Sequence, residues 1–285
     1  MTEYFQPLTF TRYLYSLIEV KQSLLIALLD HNCKEALFWG YELYFSGFEE
    51  DAFEYLLKIY QDIYSHDNPK LQAAFEKTHQ EWEADNTKHH LFGSIIATLS
   101  GKPYQISHFL STYFGIKCTE QEKPPAQKTL NVKFKEADVE PYKTQPNEIG
   151  NPRFYLPKVY QYAIRKEVNQ LFKTEPVDFK KEYLYDWLYY AARSPIWLQR
   201  IVDYNGQVND ETKAVDFASD DDQDNFYDEW GIEPDEQTLP IVQKSIGNGL
   251  TAQLSIKEFC EKYGAKLVIK TMKIKKPLTN SITYT

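Results

Sequence analysis

The chain has 285 residues, 15% of them aromatic, with a formal net charge of −9 at pH 7. That length suffices for one large or two modest domains with real cores, and the acidity excludes a nucleic-acid surface spread over the whole protein. Three scattered cysteines, Cys33, Cys118 and Cys260, exclude a disulfide scaffold or a cysteine zinc site and favour a reducing compartment.

The opening MTEYFQPLTFTRY lacks a basic region followed by an apolar core, and no apolar run approaches membrane-spanning length. A soluble, cytoplasmic protein with no membrane association is expected. Residues 1–12 read as extended or turn-rich, because Pro7 biases its neighbour away from helix. The densest apolar and aromatic run follows, from Val20 to Tyr64, and divides into three helices. Leu17, Val20, Leu24 and Leu28, with Ile18, Leu25 and Leu29 beside them, make one broad stripe. Asp30-His31-Asn32 breaks it. Ala36, Leu37, Gly40, Tyr41, Leu43 and Tyr44 restore the helical spacing until Ser46-Gly47, where glycine suits a left-handed helix end. Glu49, Glu50 and Asp51 then occupy a helix start, facing the positive end of its dipole, with Ala52, Phe53, Leu56, Leu57, Ile59 and Tyr60 inward. Such short connections set consecutive helices antiparallel. Ala36, Gly40 and Ala52 are small enough for close backbone approach, and a mid-helix glycine, which costs about 1 kcal/mol against alanine, implies a packing reason.

This hairpin resembles a single tetratricopeptide unit, with Gly40, Gly47 and Ala52 at that family's small positions and Leu43, Leu56 and Ile59 at its larger apolar ones. Ala74 would continue the pattern, but Asn86, Gln6 and Ile18 break it, so a hairpin of similar geometry is expected in place of a repeat array. The alanine- and aromatic-rich helix, SG turn and acidic helix start also look like the collar of clamp-loader subunits. The phrase LLIALLDHNCKEALFWGYELYFSGFEEDAFEYL resembles uncharacterised proteins of large DNA viruses of protists and algae, most clearly over residues 20–65. That resemblance implies a viral product in host cytoplasm or the virion and carries over no activity and no functional residues.

Beyond Ser65-His66-Asp67-Asn68-Pro69, helices are expected over 69–84, with Leu71, Ala74, Phe75 and Trp82 inward, from Lys88 to the Ser100-Gly101-Lys102-Pro103 stop, and over 107–113 before Gly115. Residues 1–117 thus read as a helical domain. Residues 118–150, rich in proline, lysine and glutamate, read as a linker, with Leu130, Val132 and Phe134 alternating as a short strand or docked peptide. Residues 151–204 form a second helical region: a helix after Pro157 carrying Val159, Tyr162, Ala163, Val168 and Leu171, another over 179–194, and a third after Pro195, with Trp187 and Trp197 anchoring the core. Residues 205–249 are acidic and weakly patterned. Residues 250–285 hold a helix over 255–263 and a basic strand or tail, whose alternation over 266–274 makes it a candidate partner for residues 130–134. The fold class expected is mainly α, built of antiparallel helical hairpins with a second, smaller helical region and at most a minor β pairing.

Catalytic signatures are missing. Gly101-Lys102-Pro103 has proline where a phosphate loop needs serine or threonine. Glu76-Lys77-Thr78-His79 offers a single Glu-x-x-His where a di-iron bundle needs two. His31 with Cys33, and His89 with His90, lack a second half. Asp220, Asp221 and Asp222 lack the ligand order and glycine of a calcium loop. No catalytic, cofactor-binding or metal residue is therefore assigned, and no cofactor is expected. The leading expectation is a non-enzymatic protein–protein interaction scaffold, a subunit of a viral assembly, transcription or replication complex. Phe226, Tyr227 and Trp230, interleaved with carboxylates, and Lys270, Lys273 and Lys275 are its candidate partner-binding residues. The alternatives are an enzyme with a dispersed carboxylate and histidine site at the domain join, using Glu76, His79 and His89, or an accessory protein touching nucleic acid through the C-terminal lysines.

Overall fold

A computed structural model describes residues 7–120, 134–145, 148–169, 179–247 and 252–268. Within them the chain is mainly α, with two small antiparallel strand pairs. Among the described residues, no helix is long and apolar enough to cross a membrane.

Six helices make up the first part: α1 (Leu17–Leu29), α2 (Cys33–Tyr44), α3 (Glu49–Ile59), α4 (Leu71–Ala84), α5 (His90–Ser100) and α6 (Ser107–Phe114). Their boundaries follow the local chemistry. His31 takes a φ of +56° between α1 and α2, and Asn32 caps α2 by accepting the Glu35 N–H. Gly47 ends the next turn at φ +89°. There a Cβ would meet Pro195 Cβ at 2.6 Å, so glycine is required twice over. Glu49, Glu50 and Asp51 lie in the first turn of α3. Ala74, expected inward, is exposed on α4.

Helix α2 is the hub. Every residue from Glu35 to Tyr44 is buried, because α1, α3 and α5 all pack on it. Gly40 faces α5, where a Cβ would come within 2.3 Å of Ile96 Cδ1. The packing reason for this glycine is therefore a third helix, outside the α1–α2 hairpin.

The lead before α1 is also core. Phe10, Tyr13, Leu14 and Tyr15 are all buried. Phe10 N–H donates to Tyr190 O, Arg12 N–H to Ser46 Oγ, Trp197 Nε1 to Thr11 O and Tyr15 OH to Tyr162 O. Buried side chains from Phe10 to Ala265 form one continuous cluster, so the regions separated by composition share a core.

Several expectations need correction. The described parts of 118–150 are docked onto the core: Phe134 and Tyr142 stack on Tyr41 at 6.2 and 4.9 Å, and Val139 is fully buried. Gly93 makes room, since a Cβ there would meet the Phe134 ring at 2.4 Å. Three apolar anchors suffice where overall composition looks too polar. The helix after Pro157 ends early: α7 spans Tyr155–Val159. From Tyr160 to Lys166 the chain is irregular, its backbone bonded to other segments by Ile164 N–H to Lys244 O and Arg165 N–H to Ser23 Oγ. Leu171 lies outside the described residues. The helix expected over 179–194 is two, α8 (Lys180–Leu184) and α9 (Trp187–Ala191), followed by α10 (Pro195–Asp203) with Pro195 in its first turn. Trp187 and Trp197 pack edge to face at 5.3 Å.

Residues 205–247, expected to be weakly structured, form a hairpin of β2 (Gly206–Asn209) and β3 (Ala214–Phe217), then α11 (Asp220–Trp230) and α12 (Leu239–Ile246). Ser219 Oγ caps α11 by accepting the Asp222 N–H, and Asp220, Asp221 and Asp222 sit at the positive end of its dipole. The acidic run is thus a helix start. A Ser255–Glu258 capping box opens α13 (Ile256–Lys262). β1 (Cys118–Glu120) pairs with β4 (Ala265–Leu267). Residues 130–133, the expected strand partner, lie outside the described residues.

Candidate functional site: an apolar cleft beside a π-helical turn

α3 runs directly into a π-helical turn, Tyr60–Tyr64, with Ser65 N–H donating to Tyr60 O at 2.8 Å. Such wide turns often accompany functional sites. This one borders a cleft of about 590 Å³. Leu25 of α1, Ile59 of α3, Ile63 of the π turn, and Phe109 and Phe114 of α6 supply its apolar walls. Amphipathic helices bury one stripe, and here three such stripes meet around a gap they do not fill.

The polar groups lie together. Lys58 Nζ donates to Tyr113 OH, lies 4.7 Å above that ring, and pairs with Asp62 at 3.3 Å. Tyr55 OH donates to Lys21 O at 2.8 Å, and burial pushes its phenol up, which keeps it neutral. The hydrogen bond that Lys58 donates to Tyr113 and the nearby Asp62 raise the pKa of the Lys58 ammonium, which therefore stays charged. The lining can hold an apolar group and meet a polar neighbour at its rim.

A second polar centre lies inside the core. Arg12 Nε bonds Glu42 Oε2 at 3.0 Å, Arg12 NH2 donates to Tyr142 O, and Tyr13 N–H donates to Glu42 Oε1. Burial pushes the Glu42 carboxyl up, against the pull of Arg12. Nearby, Arg200 is clasped between Trp197 and Trp230, at 4.5 and 4.2 Å, and burial lowers its pKa to about 10. These groups join the lead, α2, the 134–145 segment and α10. A largely buried network joins others: Arg165 reaches Asp30, Glu35 and Glu167, and Lys262 reaches Asp30.

The candidate partner-binding aromatics are partly spent on the chain itself. Phe226 is fully buried against Tyr204 and Phe217. Trp230 is half-buried on Arg200, and Tyr227 stays 36% exposed. Lys270, Lys273 and Lys275 lie outside the described residues. Of the alternative catalytic set, Glu76 accepts a hydrogen bond from Gln72 Nε2 and His89 Nδ1 lies 3.2 Å from Tyr44 OH. His79 instead meets Glu50, so the structure does not bring these three together. Cys118 and Cys260, scattered in sequence, share a thiol hydrogen bond across the β1–α13 contact. Sequence reasoning missed the cleft, because Phe109, Tyr113 and Phe114 read as an ordinary short helix and nothing local marks the gap beside them. No protein-family model, curated protein or solved structure matches the chain.

Proposed function

We propose that the protein is an interaction scaffold whose cleft between α1, α3 and α6 receives an apolar segment of a basic protein partner. The carrying observation is the cleft itself. Its volume of about 590 Å³ falls in the ordinary range for ligand pockets, about 300–1,000 Å³. Large apolar anchors seated in such pockets supply much of the energy of an interface. Besides tyrosines, its ionisable lining is Lys58 and Asp62, already paired with each other, which suits capture better than turnover. The net charge of −9 steers positively charged partners towards the chain. The resemblance over residues 20–65 suits a viral product in the host cytoplasm, and the partner we propose belongs to a viral assembly, transcription or replication complex.

A photo-cross-linking amino acid in place of half-buried Phe109 tests this. The cross-linked partner peptide, once mapped and synthesised, should contain a large apolar residue beside lysine or arginine. Its Kd should weaken at least tenfold for Phe109→Glu protein that retains the wild-type far-ultraviolet circular dichroism. Unchanged affinity in that folded variant, or cross-links confined to lipid or to the chain itself, would overturn the assignment.

A further inference from the structure

Glu50, His79 and Glu83 bring an imidazole nitrogen and two carboxylate oxygens within 4.8 Å of one another. His79 and Glu83 stand one turn apart on the same face of α4, and Glu50 reaches them from the first turn of α3. His79 Nε2 is 3.2 Å from Glu50 Oε1. Two ligands bound tetrahedrally at about 2.0–2.2 Å from a zinc ion lie about 3.4 Å apart, so this pair already has ligand spacing. The nitrogen is also shielded from solvent, and no group meets it in hydrogen-bonding geometry.

The imidazole is held in place before any ion arrives. Its ring lies 5.1 Å from Phe53 and stacks on Trp82 at 5.8 Å with an interplanar angle of 10°. Trp82 is 6% exposed and donates its Nε1–H to Tyr44 OH at 2.7 Å. A ring fixed by its surroundings binds without the entropy loss of ordering it, as outer contacts do in metal sites generally. Glu50 and Glu83 are exposed, so they can close on an ion and leave its remaining positions to water.

We propose that Glu50, His79 and Glu83 form a binding site for a divalent transition-metal ion of the zinc or cobalt class. One nitrogen and two carboxylate oxygens suit borderline cations better than soft copper(I) or oxygen-seeking calcium. The bound ion ties the start of α3 to the second half of α4 and presents open coordination positions on the surface.

The experiment uses full-length protein without a histidine tag, titrated with Co²⁺ near pH 7. The visible absorption and the summed fluorescence of the five tryptophans, of which Trp82 stacks on His79, are followed, and Zn²⁺ is titrated in parallel by calorimetry. One equivalent should bind, with partial quenching of the tryptophan emission and a cobalt spectrum that Zn²⁺ displaces. Glu50→Gln and Glu83→Gln change exposed side chains, so folding is retained, and each should weaken binding at least tenfold. Glu76→Gln, on the same helix but bonded to Gln72, should leave the affinity within twofold. Failure to saturate, or equal affinity in the Glu50→Gln and Glu83→Gln variants, would overturn the site.

Discussion

Among the described residues, Arg12 and Glu42 are the ion pair most completely removed from water, at 2% and 0% side-chain exposure. Removing one member of such a pair strands the other charge and costs about 3–5 kcal/mol, whereas replacing both by apolar residues is often neutral. Glu42→Leu should therefore destabilise by about that amount in denaturant unfolding, and Arg12→Met/Glu42→Leu should recover most of the loss. Asp30 makes a different kind of contribution. Burial opposes its charge, but hydrogen bonds from Arg165 and Lys262 prevail and hold its pKa below the usual carboxylate value. A depressed carboxyl pKa stabilises the fold above the unfolded value of about 3.9 and loses that contribution as pH falls through the folded value. In thermal melts, wild type should exceed Asp30→Asn at pH 7, and the gap should narrow below about pH 4. At this scale the sequence showed the break at Asp30-His31-Asn32 and the helix end at Gly47, both recognisable from their neighbours, but not that Asn32 caps α2. The partners of Arg12 are set by residues 30 and 130 positions away.

Elements with one apolar face and clear ends could be read in advance, which is why α1 to α6 lie close to where periodicity puts them. Periodicity fails where tertiary bonds claim the backbone. Val159, Tyr162, Ala163 and Val168 have helical spacing, yet Ile164 and Arg165 give their N–H groups to Lys244 and Ser23. Composition fails where few anchors do much. The 134–145 segment looks like linker by its charge, but Phe134, Val139 and Tyr142 seat it against α2 and α5. Phe134→Ala should release that segment, with a loss of about 2–3 kcal/mol for a half-buried phenylalanine. Limited proteolysis should then cut within 134–145 before the helices. A stability loss without new cleavage there would show that the ring acts only as filler.

Over the whole molecule, the apolar cluster runs without interruption from the lead to β4, and α2 sits where its contributors converge. The fold class was legible because composition and period alone determine it. The cleft and the Glu50–His79–Glu83 cluster were not, because each needs side chains from elements whose mutual placement no local pattern specifies. His79 and Glu83 are four apart and could have been paired on a helix, but Glu50 joins them only through the packing of α3 on α4.

The bonds made by the lead bear on the order of assembly. Ser245 Oγ donates to Leu14 O across 231 positions, and Trp197 Nε1 to Thr11 O across 186. At ordinary synthesis rates of about 5–20 residues per second, roughly 10–50 s separate emergence of the lead from emergence of residue 245. Leu14 stays without its Ser245 partner for that interval and Phe10 waits for Phe179, Tyr183 and Tyr190, whereas Tyr13 and Tyr15 meet Glu42, Phe38 and Trp39 early. A nascent chain of this kind completes its core late, and Phe10 and Leu14 need chaperone cover until residues 179–245 have emerged.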